Sequence, residues 1–120
     1  MAKILVCDDK IEFFRGGLER ALQDIGVDFA NSPQIVLELA RKTNYDVIVT
    51  DLQYTEGGVE GFGVLQNIRD LAPVRILWTA AAGMREVHEV ARQCGASYVY
   101  GKKQTDEMLA TIRRLYEARH

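Results

Sequence analysis

Two adjacent carboxylates end the first apolar run of this chain, in the segment KILVCDDK at residues 3–10. They belong to Asp8 and Asp9, and two unit charges about 4 Å apart repel by roughly 4 kcal/mol at the effective dielectric of a protein surface. The pair therefore needs solvent, a proton or a cation nearby. A divalent cation is the most specific of these partners, whereas a wet loop after a strand explains the two acids without any ligand.

Later apolar runs end in other residues of types that serve phosphate or metal chemistry. Asp51 follows VIVT, Thr79 ends VRILWT, and Lys102 and Lys103 follow SYVYG. Taken singly, each has an ordinary explanation as a helix cap, a turn residue or a solvated charge. Taken together, acids, a hydroxyl and a lysine at the ends of successive runs predict one shared site, provided that the runs are strands of a single sheet.

The elements that would position these residues alternate along the chain. Short runs rich in β-branched and aromatic residues predict strands at 4–7, 27–30, 47–50, 74–78 and 97–100. Segments with 3.6-residue periodicity predict helices at 13–25, 33–42, 62–71, 84–94 and 106–119. Five repeats of strand then helix are typical of a parallel sheet covered on both faces. The sequence therefore predicts an α/β fold, a flavodoxin-like doubly wound five-stranded parallel sheet with five helices.

Local signals mark several helix ends. Ser32 followed by Pro33 is typical of an N-cap with proline at the first helical position, and Thr105 followed by two acids also predicts an N-cap. Gly26 and Gly95 follow the predicted ends of helices. In a sheet of this kind ligands bind outside the carboxyl ends of the strands, which is where the acids, Thr79 and the lysines are expected.

Composition narrows the class of protein. The chain has 120 residues and is 48% hydrophobic, so we expect a single domain over residues 1–120. A net charge of -2 argues against direct binding of nucleic acid. No hydrophobic run approaches the roughly 20 residues of a membrane span, and the first residues do not resemble a signal peptide, so we expect no membrane insertion and a cytoplasmic location. Cys7 and Cys94 lack metal-site or disulfide spacing and are expected to be reduced core thiols.

Four segments carry a resemblance to a known family. They are ILVCDD at the first predicted strand, YDVIVTDL at the third, VRILWTA at the fourth and GASYVYGKK around the fifth. With these segments the chain resembles, over essentially its whole length, the receiver domain of two-component response regulators, of the single-domain type that chemotaxis regulators represent. The resemblance implies that Asp51 is the phosphoacceptor, that Thr79 is the switch hydroxyl, and that Lys102 contacts the phosphoryl group.

The same resemblance implies a Mg²⁺ cofactor held by Asp8, Asp9, Asp51 and the backbone carbonyl of Gln53. The chemistry of these residue types agrees with the implied roles. A carboxylate attacks an anionic phosphoryl donor poorly unless the charge on the phosphoryl oxygens is neutralised, and a Mg²⁺ and a lysine beside Asp51 would neutralise it. Mg²⁺ prefers oxygen ligands and commonly takes one or two carboxylates together with phosphate oxygens.

The chain departs from the family pattern in three places. The segment QYTEGGVEGFGVL after the third strand is longer than usual by two residues or so and lacks a proline, and Lys103 stands where a proline usually follows the site lysine. Counting from the end of the fourth helix selects Lys102 as that lysine, and counting from Tyr100 selects Lys103; we expect Lys102. The position of the usual switch aromatic is Val99, between Tyr98 and Tyr100, so either tyrosine is a candidate.

The chain's only tryptophan, Trp78, immediately precedes Thr79. Successive side chains of a strand point to opposite faces, so we expect Trp78 to pack against a helix and to report changes at Thr79 indirectly.

These observations predict a phosphoacceptor signalling domain that takes a phosphoryl group onto Asp51 in a Mg²⁺-dependent reaction and signals by conformational switching. It would catalyse at most its own phosphorylation and dephosphorylation. The expected partners are a sensor histidine kinase or phosphotransfer protein and a downstream target protein. The altered loop and the missing proline favour an alternative, a receiver-like interaction module that does not respond to phosphate.

A third possibility is a phosphohydrolase of the haloacid dehalogenase type, which also uses an aspartate at the end of a strand. Such an enzyme expects a second acid two positions after its nucleophile. Here Lys10 stands two positions after Asp8, and Gln53 stands two positions after Asp51. The sequence therefore argues against hydrolase chemistry.

Overall fold

Five short strands form the centre of the fold in the structure, a computed structural model that describes residues 3–119. The strands are β1 (Ile4–Cys7), β2 (Val27–Ala30), β3 (Val47–Thr50), β4 (Val74–Thr79) and β5 (Tyr98–Gly101). The helices are α1 (Arg15–Leu22), α2 (Pro33–Lys42), α3 (Glu60–Asn67), α4 (Arg85–Gln93) and α5 (Thr105–Arg119). Short 3₁₀ turns at Ile11–Phe13 and Lys102–Gln104 precede α1 and α5.

All strands are parallel and lie in the order β2-β1-β3-β4-β5. The predicted flavodoxin-like sheet is therefore confirmed. The chain moves from β1 outward to β2 and then returns past β1 to β3, so the switch in strand order lies between β1 and β3. Cys7 pairs with Thr50 across this boundary, which brings the residues that follow the two strands side by side.

Both faces of the sheet are buried, which explains why the strands read as unbroken apolar runs. One face packs on α1 and α5 through Ile4, Val6, Val47, Val49, Ile76 and Trp78, with Leu18, Leu22, Met108 and Ile112 from the helices. The other face packs on α2, α3 and α4 through Leu5, Cys7, Ile48 and Leu77. Trp78 and Leu77 thus lie on opposite faces, and Trp78 packs against helices as predicted.

Both cysteines are buried and free, in agreement with the prediction of core thiols. Burial raises the pKa of the Cys7 thiol further above its ordinary value, and the charge of Asp8 acts in the same direction. Cys7 is therefore an inert packing residue. Within the described range, no helix is long and apolar enough to cross a membrane.

The local signals at helix ends are confirmed at most positions. The Ser32 hydroxyl accepts a hydrogen bond from the Ile35 amide at 3.3 Å, with Pro33 at the start of α2. Gly26 and Gly95 have φ values of 95° and 100°, which suit glycine in the left-handed conformation that follows a helix.

The predicted N-cap at Thr105 is wrong. Thr105 already has helical dihedral angles, φ -57° and ψ -40°, because the 3₁₀ turn over Lys102–Gln104 leads directly into α5. Its hydroxyl donates to the Lys102 carbonyl at 2.7 Å. The Gln104 side chain instead accepts a hydrogen bond from the Gly101 amide at 2.8 Å, which holds the start of the turn.

Helices α1 and α3 differ from the periodicity at both ends, and α1 ends three residues earlier than predicted, at Leu22. Helix α1 begins at Arg15 rather than Phe13, because Phe13 lies in a 3₁₀ turn and is 83% exposed. Helix α3 begins two residues before the predicted Phe62 and ends at Asn67, four residues before the predicted end. The earlier start depends on Glu60, whose side chain bonds back to the preceding loop.

Candidate functional site

Three acids meet at the carboxyl ends of β1 and β3. The Asp51 amide donates to the Cys7 carbonyl at 2.9 Å, so Asp51 follows β3 directly beside Asp8. One carboxylate oxygen each from Asp8, Asp9 and Asp51 lie within 4.8 Å of one another. Asp8 is 1% exposed and Asp51 is 8% exposed, while Asp9 is open to solvent. The structure therefore brings together the carboxylates that the sequence predicts as one site.

These acids line a cavity of about 600 Å³ at the edge of the sheet. Its other walls come from the loops that follow β1, β3, β4 and β5. They comprise Lys10, Phe14, Gln53, Tyr54, Thr55, Glu56, Gly57, Thr79, Ala80 and Lys102. The cavity is thus lined by the predicted acids, Gln53, Thr79 and Lys102, but not by Lys103.

Lys102 is the lysine that contacts the acids. Its ammonium donates to Asp8 Oδ2 and lies 3.8 Å from Asp51 Oδ2, and its side chain is 20% exposed. Lys103 is exposed and lines a neighbouring cavity instead. The geometry agrees with the expectation that Lys102, rather than Lys103, faces the acids.

Burial raises the pKa of Asp51 to about 6. The nearby charges of Asp8 and Asp9 act in the same direction, whereas the Lys102 ammonium and a hydrogen bond from the Leu52 amide oppose them. The Leu52 amide donates to Asp51 Oδ1 at 2.8 Å, so Oδ2 is the oxygen that faces Lys102. At neutral pH the carboxylate is mostly ionised in a partly dry site, which is the form that can act as a nucleophile.

The three acids fit a hard divalent cation. Mg²⁺ takes oxygen ligands at about 2.1 Å in octahedral geometry and keeps several waters, and the open side at Asp9 leaves room for them. Asp8 is held in place because its Oδ1 accepts from the Lys10 amide at 2.8 Å. Partial burial and the neighbouring Asp8 raise the pKa of Asp9. In this arrangement a bound cation would stabilise the ionised acids.

The hydroxyl of Thr79 lies in the cavity wall at the end of β4. It is 2% exposed and accepts a hydrogen bond from the Ala81 amide at 3.1 Å, inside its own loop. A hydroxyl that accepts one bond keeps its hydrogen for another acceptor. Thr79 can therefore donate to a group that enters the cavity.

The long loop after β3 is closed by Glu60. Its carboxylate accepts from the Tyr54 amide at 3.2 Å and from the Thr55 hydroxyl, so it ties the start of α3 to the middle of the loop without a proline. Gln53 lies in this loop at the cavity wall. At the first turn of α3, a Cβ added to Gly61 would lie 2.1 Å from the Asp51 carbonyl oxygen, so only glycine allows this close approach.

Aromatic residues on both faces of the sheet lie next to the site, and the sequence analysis did not identify them. The rings of Trp78 and Phe14 lie under the Lys102 ammonium. The Tyr54 hydroxyl shares a 2.8 Å hydrogen bond with Thr50, and burial raises the pKa of Tyr54 well above its ordinary value. The position of Trp78 immediately before Thr79 was the one available signal, whereas the place of Phe14 depends on how α1 docks.

The two candidate switch tyrosines share a face of β5, as the strand periodicity predicts. The rings of Tyr98 and Tyr100 stack with centroids 6.0 Å apart, and both pack against the α1 and α5 side of the core. The Tyr100 hydroxyl lies 2.6 Å from the Thr111 hydroxyl of α5. Neither tyrosine lines the cavity of the acids.

Solved structures of response regulators and their receiver domains share this fold. The receiver domain of the Francisella response regulator 1452 is 22% identical, with full coverage of both chains and a TM-score of 0.83. Vibrio cholerae chemotaxis protein CheY4 is 25% identical over 96% of this chain and 98% of its own, with a TM-score of 0.80. The Thermotoga maritima response regulator TrrA, solved in complex with Mg²⁺-BeF, is 27% identical over 96% and 99% of the two chains, with a TM-score of 0.76.

Sequence comparison gives the family directly. Among curated protein sequences none matches this chain, but the profile of the response regulator receiver domain matches residues 4–113. This range spans the whole sheet and most of α5. The acids, the hydroxyl and the lysine that meet in the cavity all lie within it. The chain belongs to the response regulator receiver domain family, the phosphoacceptor signalling modules of two-component systems.

Proposed function

We propose that Asp51 accepts a phosphoryl group in a Mg²⁺-dependent reaction and that the chain, as a single receiver domain over residues 1–120, signals by conformational switching. One observation carries the proposal: a buried carboxylate lies beside two further acids with a lysine ammonium 3.8 Å from its Oδ2. The Mg²⁺-BeF complex of the Thermotoga relative supports it, because beryllofluoride stands in for a phosphoryl group.

The residues of the site divide the work of the transfer. Asp51 Oδ2 attacks the phosphorus, a bond from oxygen to phosphorus forms, and the bond from phosphorus to the donor's leaving group breaks with its electron pair. The Leu52 amide holds Oδ1 aside at 2.8 Å. The Lys102 ammonium offsets the charge that builds on the phosphoryl oxygens.

Asp8, Asp9, Asp51 and the Gln53 carbonyl would hold Mg²⁺, which when bound neutralises phosphoryl charge. Before the ion binds, the Lys102 ammonium is the bonded cation of Asp8. Transfer adds a charge of roughly -1.5 to -2 and new acceptor oxygens beside Asp8, so Lys102 gains a further anionic partner. The protein contributes position and electrostatics, and its chemistry is limited to its own phosphorylation and dephosphorylation.

The switch follows from the hydrogen bond of Thr79. Its hydroxyl now accepts from the Ala81 amide, and a phosphoryl oxygen on Asp51 offers it a stronger, charged acceptor. Moving toward that acceptor would release the loop between β4 and α4 and would change the surface that this loop presents. A two-state loop biased in this way is a general signalling device.

The phosphoryl donor is proposed to be a sensor histidine kinase or a phosphotransfer protein in the cytoplasm, and the output is proposed to be binding of a downstream target protein. Receiver domains as a family exchange signals with such kinases and effectors. The chain's net charge of -2 gives no support to direct contact with nucleic acid.

Intact-mass analysis after incubation with acetyl phosphate and Mg²⁺ tests the proposal. We expect a single phosphoryl adduct in the wild type that requires Mg²⁺ and is absent from Asp51→Asn. Asp70→Asn, which changes an exposed acid in the turn after α3, is the matched control and should keep the adduct. An adduct that survives in Asp51→Asn would contradict the assignment, and no adduct in the wild type would favour a phosphate-independent interaction module.

A further inference from the structure

The Lys102 ammonium rests on two aromatic rings. Its Nζ lies 4.1 Å from the Trp78 ring centroid and 4.7 Å from the Phe14 ring centroid. The two rings meet edge to face, with centroids 4.8 Å apart and an interplanar angle of 65°. Both distances are within the range of about 6 Å in which a cation is attracted by an aromatic face. The ammonium thus has carboxylates on one side and aromatic rings on the other.

Trp78 also reaches the main chain of the same lysine. Its indole Nε1–H donates to the Thr105 hydroxyl at 3.2 Å, and the Thr105 hydroxyl donates to the Lys102 carbonyl at 2.7 Å. One fully buried side chain therefore fixes both ends of Lys102. The turn that carries the lysine, GKKQT at 101–105, contains no proline to restrict its backbone.

We propose that Trp78 is a positioning residue for Lys102 in the phosphoryl transfer, an inference that rests on the function proposed above. The indole face holds the ammonium beside Asp8 and Asp51, and the indole N–H, through Thr105, holds the backbone of the turn. Phe14 supplies the second ring. We call the two rings of Trp78 and Phe14 under the ammonium the aromatic cradle.

The physical reason is the flexibility of lysine. A lysine side chain has many rotamers and a strongly hydrated ammonium, so an unsupported lysine would have to be ordered and dehydrated as the phosphoryl group arrives. Trp78 and Phe14 do both beforehand, because they exclude water from one side of the ammonium and restrict its position. A charge that is fixed in advance stabilises the transition state without reorganisation.

The structural alternative is that Trp78 only fills the core and satisfies its indole N–H, as buried tryptophans generally do. Under that alternative its replacement would lower stability without changing Lys102. The two readings therefore differ in what they predict for the lysine itself.

NMR of the lysine ε-methylene protons, in the protein without Mg²⁺ or donor, distinguishes them independently of phosphorylation. We expect one lysine signal shifted upfield by the ring currents, and we expect that signal to disappear in Lys102→Arg. In Trp78→Leu the signal should move most of the way back toward the ordinary lysine position, because only the Phe14 ring remains. An ordinary position for the Lys102 signal in the wild type would overturn the cradle.

Phosphorylation rates with acetyl phosphate and saturating Mg²⁺ test whether positioning of Lys102 affects the reaction. Trp78→Leu should slow phosphorylation of Asp51 roughly tenfold, in keeping with a partly desolvated cation–π contact, with unchanged Mg²⁺ affinity. Trp78→Phe keeps a ring face and should recover part of the rate. Thr105→Val, which removes only the hydrogen bonds, should slow the reaction less than Trp78→Leu does.

Two controls separate positioning from loss of stability. Ile112→Ala creates a cavity in the same buried cluster without touching the lysine, and its rate should stay within twofold of the wild type. In a Lys102→Ala background, Trp78→Leu should cause no further slowing, because the group on which it acts is gone. Equal slowing by Ile112→Ala and Trp78→Leu, or additive effects in the double variant, would overturn the proposal.

The remaining outcomes are also decisive. If Trp78→Leu does not fold, Trp78→Phe and Thr105→Val carry the same comparison, and wild-type rates in both would overturn the inference. If the wild type forms no phosphoryl adduct, the proposed function is wrong. The upfield lysine signal then still tests whether Trp78 and Phe14 hold the Lys102 ammonium.

Discussion

The two edges of the sheet use their charges in opposite ways. At the amino edge, Arg75 donates to the carbonyls of Gly95 at 2.7 Å, Ala72 at 2.6 Å and Arg69 at 3.0 Å. Arg119 pairs with Asp46 at 3.3 Å, and both residues line a cavity of about 460 Å³. Each of these charged groups serves to join the ends of elements.

At the carboxyl edge, three carboxylates share a cluster with one bonded ammonium, that of Lys102. Burial and mutual repulsion raise the pKa of Asp51 instead of lowering it. A charged side chain that donates to backbone carbonyls stabilises the fold. Carboxylates that lie close together repel one another, and this repulsion favours the binding of a cation. The contrast distinguishes a structural cavity from a candidate site, although both contain charged side chains.

Removal of the site lysine should give the largest effect on the reaction. Lys102→Ala should slow phosphorylation of Asp51 by acetyl phosphate by roughly 10² to 10³-fold, which is typical of losing one preorganised donor. Lys103→Ala, one residue along the chain and exposed, should change the rate only slightly. The reverse ranking in single-turnover rates would assign the site to Lys103.

Removal of the central arginine of the amino edge should affect stability and leave the reaction unchanged. Arg75→Ala strands several carbonyl acceptors and should lower the free energy of unfolding by roughly 2 to 4 kcal/mol. Arg85→Ala, which breaks only an exposed pair with Glu89 at 3.3 Å, should cost less than about 1 kcal/mol. Urea titration measures the free energy of unfolding of both variants. A phosphorylation rate that changes more than a few-fold in Arg75→Ala would contradict a purely structural role for the amino edge.

Neutralising Asp51 should stabilise the metal-free protein. Its pKa rises from 3.8 to about 6 on folding, so its favourable contribution is present below pH 4 and is lost as the pH rises through 6. At pH 8, Asp51→Asn should therefore add stability on the order of 1 to 3 kcal/mol in EDTA, and at pH 4 the gain should vanish. Melting curves at the two pH values check this, and a destabilised variant at pH 8 would refute it.

Loss of the exposed acid should weaken metal binding. Asp9→Asn removes one charge from the cluster and should lower Mg²⁺ affinity by about tenfold while the fold stays intact. Calorimetric titration of Mg²⁺ measures the change, with Asp70→Asn as the control at an exposed acid away from the cavity. Equal affinities for wild type and Asp9→Asn would argue against a metal role for Asp9.

The smallest predicted effect concerns the Thr79 hydroxyl. Beryllofluoride with Mg²⁺ should change the fluorescence of Trp78, because the indole lies against Lys102. Thr79→Ala should reduce that change without abolishing Mg²⁺ binding, since it removes only one hydrogen bond to the phosphoryl stand-in. Thr79→Ser, which keeps the hydroxyl, should restore the response, and identical responses in all three proteins would show that Thr79 is not the switch.

The sequence predicted the features that depend on local pattern and chain order. Strands β1, β2 and β3 have their predicted boundaries, and the Ser32 cap is confirmed. The acids at strand ends could be located because parallel strands bring their carboxyl ends to one edge. The functional roles of Asp51, Thr79 and Lys102 stay predictions.

Features that depend on tertiary packing were missed or misplaced. Thr105 reads locally as an N-cap, but its hydroxyl is used between Trp78 and Lys102 in a continuous turn. Phe14 lies under the lysine only because of the way α1 docks, which no local pattern encodes. The periodicity also did not predict the helix start at Glu60, because this start depends on hydrogen bonds to the preceding loop.

The glycine at the start of α3 has a consequence for how this protein can vary. Gly61 takes no part in phosphate or metal chemistry, yet any larger residue there would collide with the carbonyl oxygen of Asp51. In a saturation library selected for signalling, position 61 should therefore be as intolerant as the acids themselves. Gly63 lies two residues further along the helix, where an added Cβ would have no atom within 4 Å, and it should accept substitution freely. Invariance at position 61 would thus reflect a steric constraint inherited from its neighbour, and a survey of tolerated substitutions alone would mistake it for a reactive group.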